Sequence, residues 1–352
     1  MTTDRRDFAN PYIVVWPDGA DAVLKSAWSL RVLYCPWAAA GALLGAAGDI
    51  GSLRAELAAC GVADPAALVE GARDAGILVS ERELAQLDAF FEDWTWGPVA
   101  AAHLFGYHTD AFVDPERELD GSRAADASVP ALLCEGDEDA VALPPRVRAD
   151  PLGEVVARRR SRRSFSDAPV ELASVAACLG DALGITGQRT RDDGRTLPLT
   201  AAPSPGGLNT YDGLVLARRV DGLEDGTYRY LPARHALARK AGRHVPFDRL
   251  FGGQSWCARA ACAIVLAADL RRPASRYDFP TTISAALIEA GARVELILLR
   301  AEAAGLSATT VGLTGVGAFA RELAAQAGLP CATSMTPPVC AVLIGADRHT
   351  SV

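Results

Sequence analysis

The chain has 352 residues, 50% hydrophobic and 22% charged, the composition of an ordinary globular protein of roughly two domains rather than a disordered or fibrous one. Its formal charge of −8, from 35 basic and 43 acidic residues, argues against non-specific nucleic-acid binding. No run of about 18 apolar residues is present to span a membrane, and no apolar stretch backs the arginines of the opening MTTDRRDFANPY, so the expected location is cytoplasmic.

Three regions are expected: 1–90, 91–150 and 151–352. In the first, residues 12–16 (YIVVW) and 29–35 (SLRVLYC) read as strands, the earlier one ending at Pro17-Asp18-Gly19. Helices are expected over 36–46, 52–61 and 65–79. Strands followed by short helices resemble a winged-helix or peptide-clasp module. Its last helix offers Arg73 alone among Glu70 and Asp74, which argues against DNA reading. Residues 82–108 read as one helix dense in aromatics, from Phe90 to Tyr107, with His103 and His108 as candidate substrate-facing groups. The polar stretch 109–150 reads as a linker arm.

In the third region a helix is expected over 152–165, ending in a basic patch, and another over 171–184. Residues 186–202 read as loop. Residues 212–220 and 227–231 read as a hairpin, and 262–269 as a central strand. Residues 281–305 form a long helix apolar around most of its circumference, predicting burial on nearly every side. Strands at 307–312 and 339–346, with a helix over 316–328 between them, complete an α+β arrangement. The eight cysteines, Cys35, Cys60, Cys134, Cys178, Cys257, Cys262, Cys331 and Cys340, lack the paired spacing of a zinc knuckle and read as reduced, mostly buried thiols, so no metal is expected.

The densest chemistry lies in Arg158–Phe165, with five arginines among its first six residues. Such a run is either a solvated face or, where part of it turns inward, a cradle for a fixed anion; planar guanidiniums beside a serine hydroxyl suit a phosphate monoester. The pattern Arg-Arg-Ser-x-Arg-x-Phe at 159–165 resembles the flavin-phosphate signature of the nitroreductase-like flavoproteins. Four further stretches follow in that family's order: 202–208 (APSPGGL), 226–232 with His235, 287–291 (LIEAG) and 308–312 (ATTVG). The amino-terminal region and the segment from Trp94 to His108 resemble the SagB-type branch, whose members oxidise thiazoline and oxazoline rings in modified peptides.

The resemblance implies a nitroreductase-like mixed, mostly antiparallel sheet flanked by helices, behind a winged-helix or peptide-clasp-like amino-terminal domain. It implies FMN shared across a homodimer interface, a modified peptide substrate whose leader the amino-terminal domain would grip, and a cyclodehydratase partner. Arg159, Arg160, Ser161 and Arg163 align with contacts to the phosphate and ribityl chain, and Arg348 is a second phosphate contact. Ser204, Gly206, Gly207 and Asn209 align with the loop beside the ring, where bare backbone avoids a clash. Val311, Gly312 and Leu313 align with the strand whose amides lie near flavin N5.

This chain departs from the branch at the catalytic pair, where Arg276 stands in place of lysine before Tyr277. Arginine stays protonated and cannot serve as a base, but a cation beside a phenolate favours its formation, which makes Tyr277 the expected base and Asp278 its rival. Lys25 and Lys240, the only lysines, are not placed to substitute. Asn209-Thr210 and Ala292 are further departures. The alternatives are a general NAD(P)H-dependent nitroreductase or quinone reductase, and a catalytically silent peptide-binding subunit.

Overall fold

The computed structural model describes residues 6–26, 32–98, 100–101, 150–192, 194, 196–241, 246–251, 254–277, 279, 281–312 and 335–347. The expected helix over 316–328, His103, His108 and nearly all of the arm at 109–150 lie outside these, as do Asp278, Leu313 and Arg348.

Local chemistry sets where the amino-terminal elements begin. Strands β1 (Asp7–Ala9), β2 (Ile13–Asp18), β3 (Asp21–Ser26) and β4 (Val32–Pro36) precede α1 (Trp37–Leu44), α2 (Ile50–Ala59) and α3 (Pro65–Asp74), and β5 (Leu78–Ser80) leads into α4 (Glu81–Phe90). Asp49 caps α2 by accepting from the Gly51 amide, and Asp64 caps α3, with Pro65 in the first turn. Ser80 and Glu83 form a reciprocal capping box at the start of α4. The order β2-β3-β4 is an antiparallel meander, and β1 pairs with β5. The strand β3 is not anticipated by the sequence reading, because Asp21 and Lys25 dilute a six-residue alternation. The helix expected over 65–79 stops at Asp74, since Gly76 adopts φ +64° and turns the chain into β5.

The aromatic helix expected over 82–108 also stops early, at Phe90. Its rings nonetheless pack: Phe91 stacks on Tyr12 with centroids 3.8 Å apart, and Trp94 meets Trp96 edge-on at 5.0 Å. Phe90, Phe91, Trp94 and Trp96 belong to the larger of two hydrophobic cores; the smaller is built from residues between Ala22 and Leu78.

The larger core surrounds a six-stranded sheet. Its elements are α5 (Pro151–Arg158), β6 (Val170–Glu171), α6 (Leu172–Leu183), β7 (Gly187–Thr190), β8 (Thr196–Leu199), β9 (Tyr211–Ala217), β10 (Val220–Asp221), β11 (Gly226–Leu231), β12 (Ala236–Ala241), α7 (Phe247–Leu250), β13 (Cys262–Ala268), α8 (Arg271–Ala274), α9 (Thr281–Ala303), β14 (Leu306–Gly312) and β15 (Pro338–Ala346). The order is β12-β11-β9-β13-β15-β14, antiparallel at every junction. All seven residues of β13 are buried, as its unbroken apolar run predicts for a central strand. Helices α6 and α9 pack together: the Cys178 thiol donates to the Ile297 carbonyl at 3.8 Å, and Arg300 pairs with Asp181. Buried Cys178 and Cys257 have thiols pushed up to about 12 by desolvation. Among the described residues no helix is long and apolar enough to cross a membrane.

Three expectations in this half are corrected. The helix expected over 152–165 ends at Arg158, because the Arg162 amide leaves the helical ladder to donate to the Ala308 carbonyl of β14 at 3.1 Å. The loop at 186–202 contains the antiparallel pair β7–β8, with Gly194 (φ +79°) between the strands. The long helix is not buried all round: Ser284, Ile288, Gly291 and Glu295 form an exposed stripe along α9, with Ile288 74% exposed.

Candidate functional site

The turn Pro205–Gly207 follows Ser204 and leads to β9. Gly206 and Gly207 adopt φ +62° and +70°, a region that strains residues with a Cβ. At Gly206 the space is also closed, since a Cβ would come within 2.9 Å of the Tyr277 hydroxyl and 3.3 Å of Arg276 Nη1. The fold therefore brings the expected catalytic pair onto the expected cofactor loop, across about 70 residues of sequence.

Beneath the loop lies a buried ion pair that the sequence reading does not single out. Glu289 and Arg293, one turn apart on α9, are each 1% exposed. Glu289 Oε1 accepts from Arg293 Nη2 at 2.7 Å and from the Thr210 amide at 3.0 Å, and its Oε2 accepts from the Ser204 hydroxyl at 2.9 Å. Arg293 also donates to the Ala182 carbonyl and to Asn209 Oδ1. Asn209, at φ +50°, donates its amide to Ser204 Oγ at 2.8 Å and accepts from Thr200 at 2.8 Å. Asparagine tolerates this left-handed backbone, and its side chain closes the network. The i,i+4 spacing of Glu289 and Arg293 is the signal that finds this pair.

Arg276 and Tyr277 follow α8 and precede α9. The Arg276 guanidinium lies 5.5 Å from the centroid of the Tyr277 ring. Arg272 anchors this corner by donating to the Asn209 carbonyl at 2.6 Å and to Asp212 at 2.7 Å. Burial raises the Asp269 carboxyl, but a hydrogen bond from Arg271 and the charges of Arg272 and Arg271 outweigh it and hold the group below its ordinary range. Tyr211 donates to the Ala286 carbonyl at 2.8 Å, and burial pushes its phenol well up, so it remains a donor that pins β9 to α9.

The arginine segment runs alongside the ends of β14 and β15. Phe165 is buried, and the Ser166 amide donates to the Ala346 carbonyl. Arg162 turns inward, onto Glu302 at 2.6 Å rather than onto an open cradle, and Arg158 approaches the same carboxylate at 3.7 Å. Arg159 is half-buried, 3.8 Å from Glu295. Arg160, Ser161 and Arg163 are exposed; Arg160 donates to the Ala157 and Arg159 carbonyls, and Arg163 lies 5.7 Å from the Trp256 ring centroid. Among the described residues no carboxylate lies within ion-pair distance of Arg160 or Arg163. On β14, Val311 and Gly312 sit opposite Ala341 and Cys340.

These residues fit a flavin mononucleotide: guanidiniums without a carboxylate partner suit its phosphate, and a turn bare of side chains lets a flat ring approach. An open cavity of about 570 Å³ adjoins Gly206 and Gly207 on the side of the β7–β8 hairpin.

The chain is similar to several known proteins. The chain is similar to a protein of Methanocaldococcus jannaschii named as a nitroreductase, at 28% identity over 170 residues, covering 48% of this chain and 81% of that protein. It is also similar to a crystal structure of a Ralstonia eutropha protein described as a nitroreductase, at 26% identity and a TM-score of 0.45, covering 59% of this chain and 88% of the other. A further similarity is to a chain of the E. coli microcin synthetase McbBCD complex, at 18% identity and a TM-score of 0.49, covering 71% of this chain and 94% of that one. Residues 156–346, more than half the sequence and the whole of the six-stranded sheet, match the nitroreductase family, and the chain belongs to that family.

Proposed function

We propose that the protein is an FMN-dependent dehydrogenase that oxidises azoline rings of a ribosomally made peptide to azoles. The observation that carries this reading is the approach of Tyr277 and Arg276 to Gly206, which sets a phenol and a fixed cation beside the loop expected to face the cofactor. When bound, FMN supplies the two-electron acceptor, and dioxygen is the terminal oxidant. Tyr277, acting as a phenolate beside the Arg276 cation, takes the proton from the azoline ring carbon and is left as the neutral phenol. Arg159, Arg160, Ser161 and Arg163 hold the phosphate end. Ser204, Gly206, Gly207, Asn209, Val311 and Gly312 border the ring; Leu313 and Arg348 complete the set.

The exposed stripe of α9 is the face on which a second copy docks to form the homodimer. β4, one of the two outer strands of its sheet, with Val32 and Tyr34 facing solvent, is where the leader of the substrate peptide is gripped. A cyclodehydratase that makes the azoline is the partner enzyme.

The purified protein is expected to be yellow and to remove two hydrogen atoms from a thiazoline-containing peptide, read by mass spectrometry. Tyr277→Phe should lower kcat by about 100-fold or more, the usual worth of a positioned base. Gly206→Ala should displace the Tyr277 hydroxyl and do likewise. Colourless protein that takes up no FMN overturns the proposal, and unchanged turnover in Tyr277→Phe and Arg276→Ala overturns the choice of base. The family membership and the similarity to a protein named as a nitroreductase favour a second reading, reduction of nitroaromatics or quinones by NAD(P)H. Rapid bleaching of the flavin by NAD(P)H, without azoline oxidation, would select it.

A further inference from the structure

The turn that carries Gly206 and Gly207 is closed by its own amides. Gly207 donates to the Ser204 carbonyl at 3.0 Å and Leu208 to the Pro205 carbonyl at 3.2 Å, while Asn209 donates to Ser204 Oγ at 2.8 Å and Thr210 to Glu289 Oε1 at 3.0 Å. The first two bonds are internal to the turn. The last two depend on Glu289. A hydroxyl oxygen that accepts from an amide sends its own proton elsewhere, and the proton of Ser204 goes to Glu289 Oε2 at 2.9 Å. One carboxylate therefore holds the turn at its entry, through Ser204, and at its exit, through Thr210. Arg293 fixes that carboxylate from behind: Nε and Nη2 donate to Oε1 at 2.9 and 2.7 Å, and Nη1 donates to the Ala182 carbonyl in the last turn of α6. Two bonds from Arg293, one from Thr210 and one from Ser204 fill the acceptor capacity of a carboxylate. The arrangement reaches the chemistry through Gly206, since the Tyr277 hydroxyl lies 2.9 Å from where a Cβ on that glycine would stand.

We propose that Glu289 is a positioning residue: by gripping both ends of the glycine turn it sets the surface that Gly206 and Gly207 offer to the flavin and the spacing of that surface from Tyr277. It acts through the turn, not on the flavin or the substrate. A turn already held in its binding shape spends less of the binding energy on ordering itself, so loosening either end weakens the cofactor's hold. This inference rests on the reading of the turn as the loop that faces FMN, and it adds a role separable from folding stability.

The test separates positioning from folding with Glu289→Gln/Arg293→Met, which removes the two buried charges together and so avoids stranding either one. Glutamine offers one oxygen where the turn needs an acceptor at each end, so one end is released. FMN titrated into the flavin-free protein, followed by flavin fluorescence, should bind the double variant about tenfold more weakly than the wild type, the scale of one lost hydrogen bond. In the flavin-free protein, hydrogen exchange of the Asn209 and Thr210 amides should quicken about tenfold at the released end, read by residue-resolved mass spectrometry. Ile297→Val, at a buried position two turns further along α9, loses stability by removing a methyl group and should keep wild-type FMN affinity. Wild-type affinity in the double variant overturns the proposal, and so does an equal loss of affinity in Ile297→Val, because flavin binding would then follow stability alone. A protein that takes up no FMN yet shows the faster exchange would sink the cofactor reading and keep the clamp. A double variant that holds FMN as tightly as the wild type would do the reverse.

Discussion

Glu289 and Arg293 form an ion pair in which both charges are removed from water and each is compensated by the other and by loop groups. Deleting one partner strands the other, at a cost of about 3–5 kcal/mol, whereas replacing both with uncharged groups of similar size is often close to neutral. Urea unfolding should therefore show Arg293→Met destabilised by about 3 kcal/mol or more and Glu289→Gln/Arg293→Met recovering most of that loss. Additive effects of the two single substitutions would refute the coupling. The pair also shows how the sequence is read in part: its spacing is plain in 287–293, but spacing alone does not say whether an i,i+4 pair is buried. Its burial comes from Ser204, Asn209 and Thr210, about 80 residues earlier in the chain, folding over it.

The arginine segment is an element without regular structure, held in place by its neighbours. Its position depends on Phe165 lying against Gly345 of β15, where a Cβ would meet Phe165 Cδ1 at 2.8 Å and its Cβ at 3.2 Å. Contacts so near the root of a side chain cannot be relieved by swinging the ring. Gly345→Ala is expected to cost about 1–3 kcal/mol by overpacking and to weaken flavin retention, measured by thermal melting and by absorbance after dialysis. Gly41→Ala, in the middle of α1 with nothing within 4 Å of the added carbon, should instead hold or raise the melting temperature, with a gain in stability of about 1 kcal/mol at most. Periodicity locates α5, but it does not reveal that the helix ends where the Arg162 amide finds Ala308. The same holds for β3, β7, β8 and β12. Such short strands of mixed composition are specified by their partners across the ladder more than by their own composition.

Among the described large apolar residues Ile288, in the exposed stripe of α9, is the most exposed. A lone exposed isoleucine needs no explanation, but this one lies on a helix whose remaining faces are packed. If a second copy covers the stripe, Ile288→Asp should shift the protein from dimer toward monomer in sedimentation velocity while leaving the fold intact by circular dichroism. A wild-type protein that sediments as a monomer at all concentrations would refute the docking face. The presence of two hydrophobic cores follows from length and composition. That Phe90, Phe91, Trp94 and Trp96 join the carboxy-terminal core is a matter of packing, since an aromatic run carries no label for which core it will enter.

By itself the sequence determined the α+β class, the central position of β13 and the long helix, because hydrophobic period and turn residues act over neighbours in the chain. Tertiary structure alone decided that Tyr277 and Arg276 meet Gly206, that Glu289 and Arg293 are buried together, that Arg162 is consumed by Glu302, and that a cavity opens at the β7–β8 hairpin. Each joins residues far apart in sequence, and such contacts form only once the strands between them have paired and excluded water from the space they share.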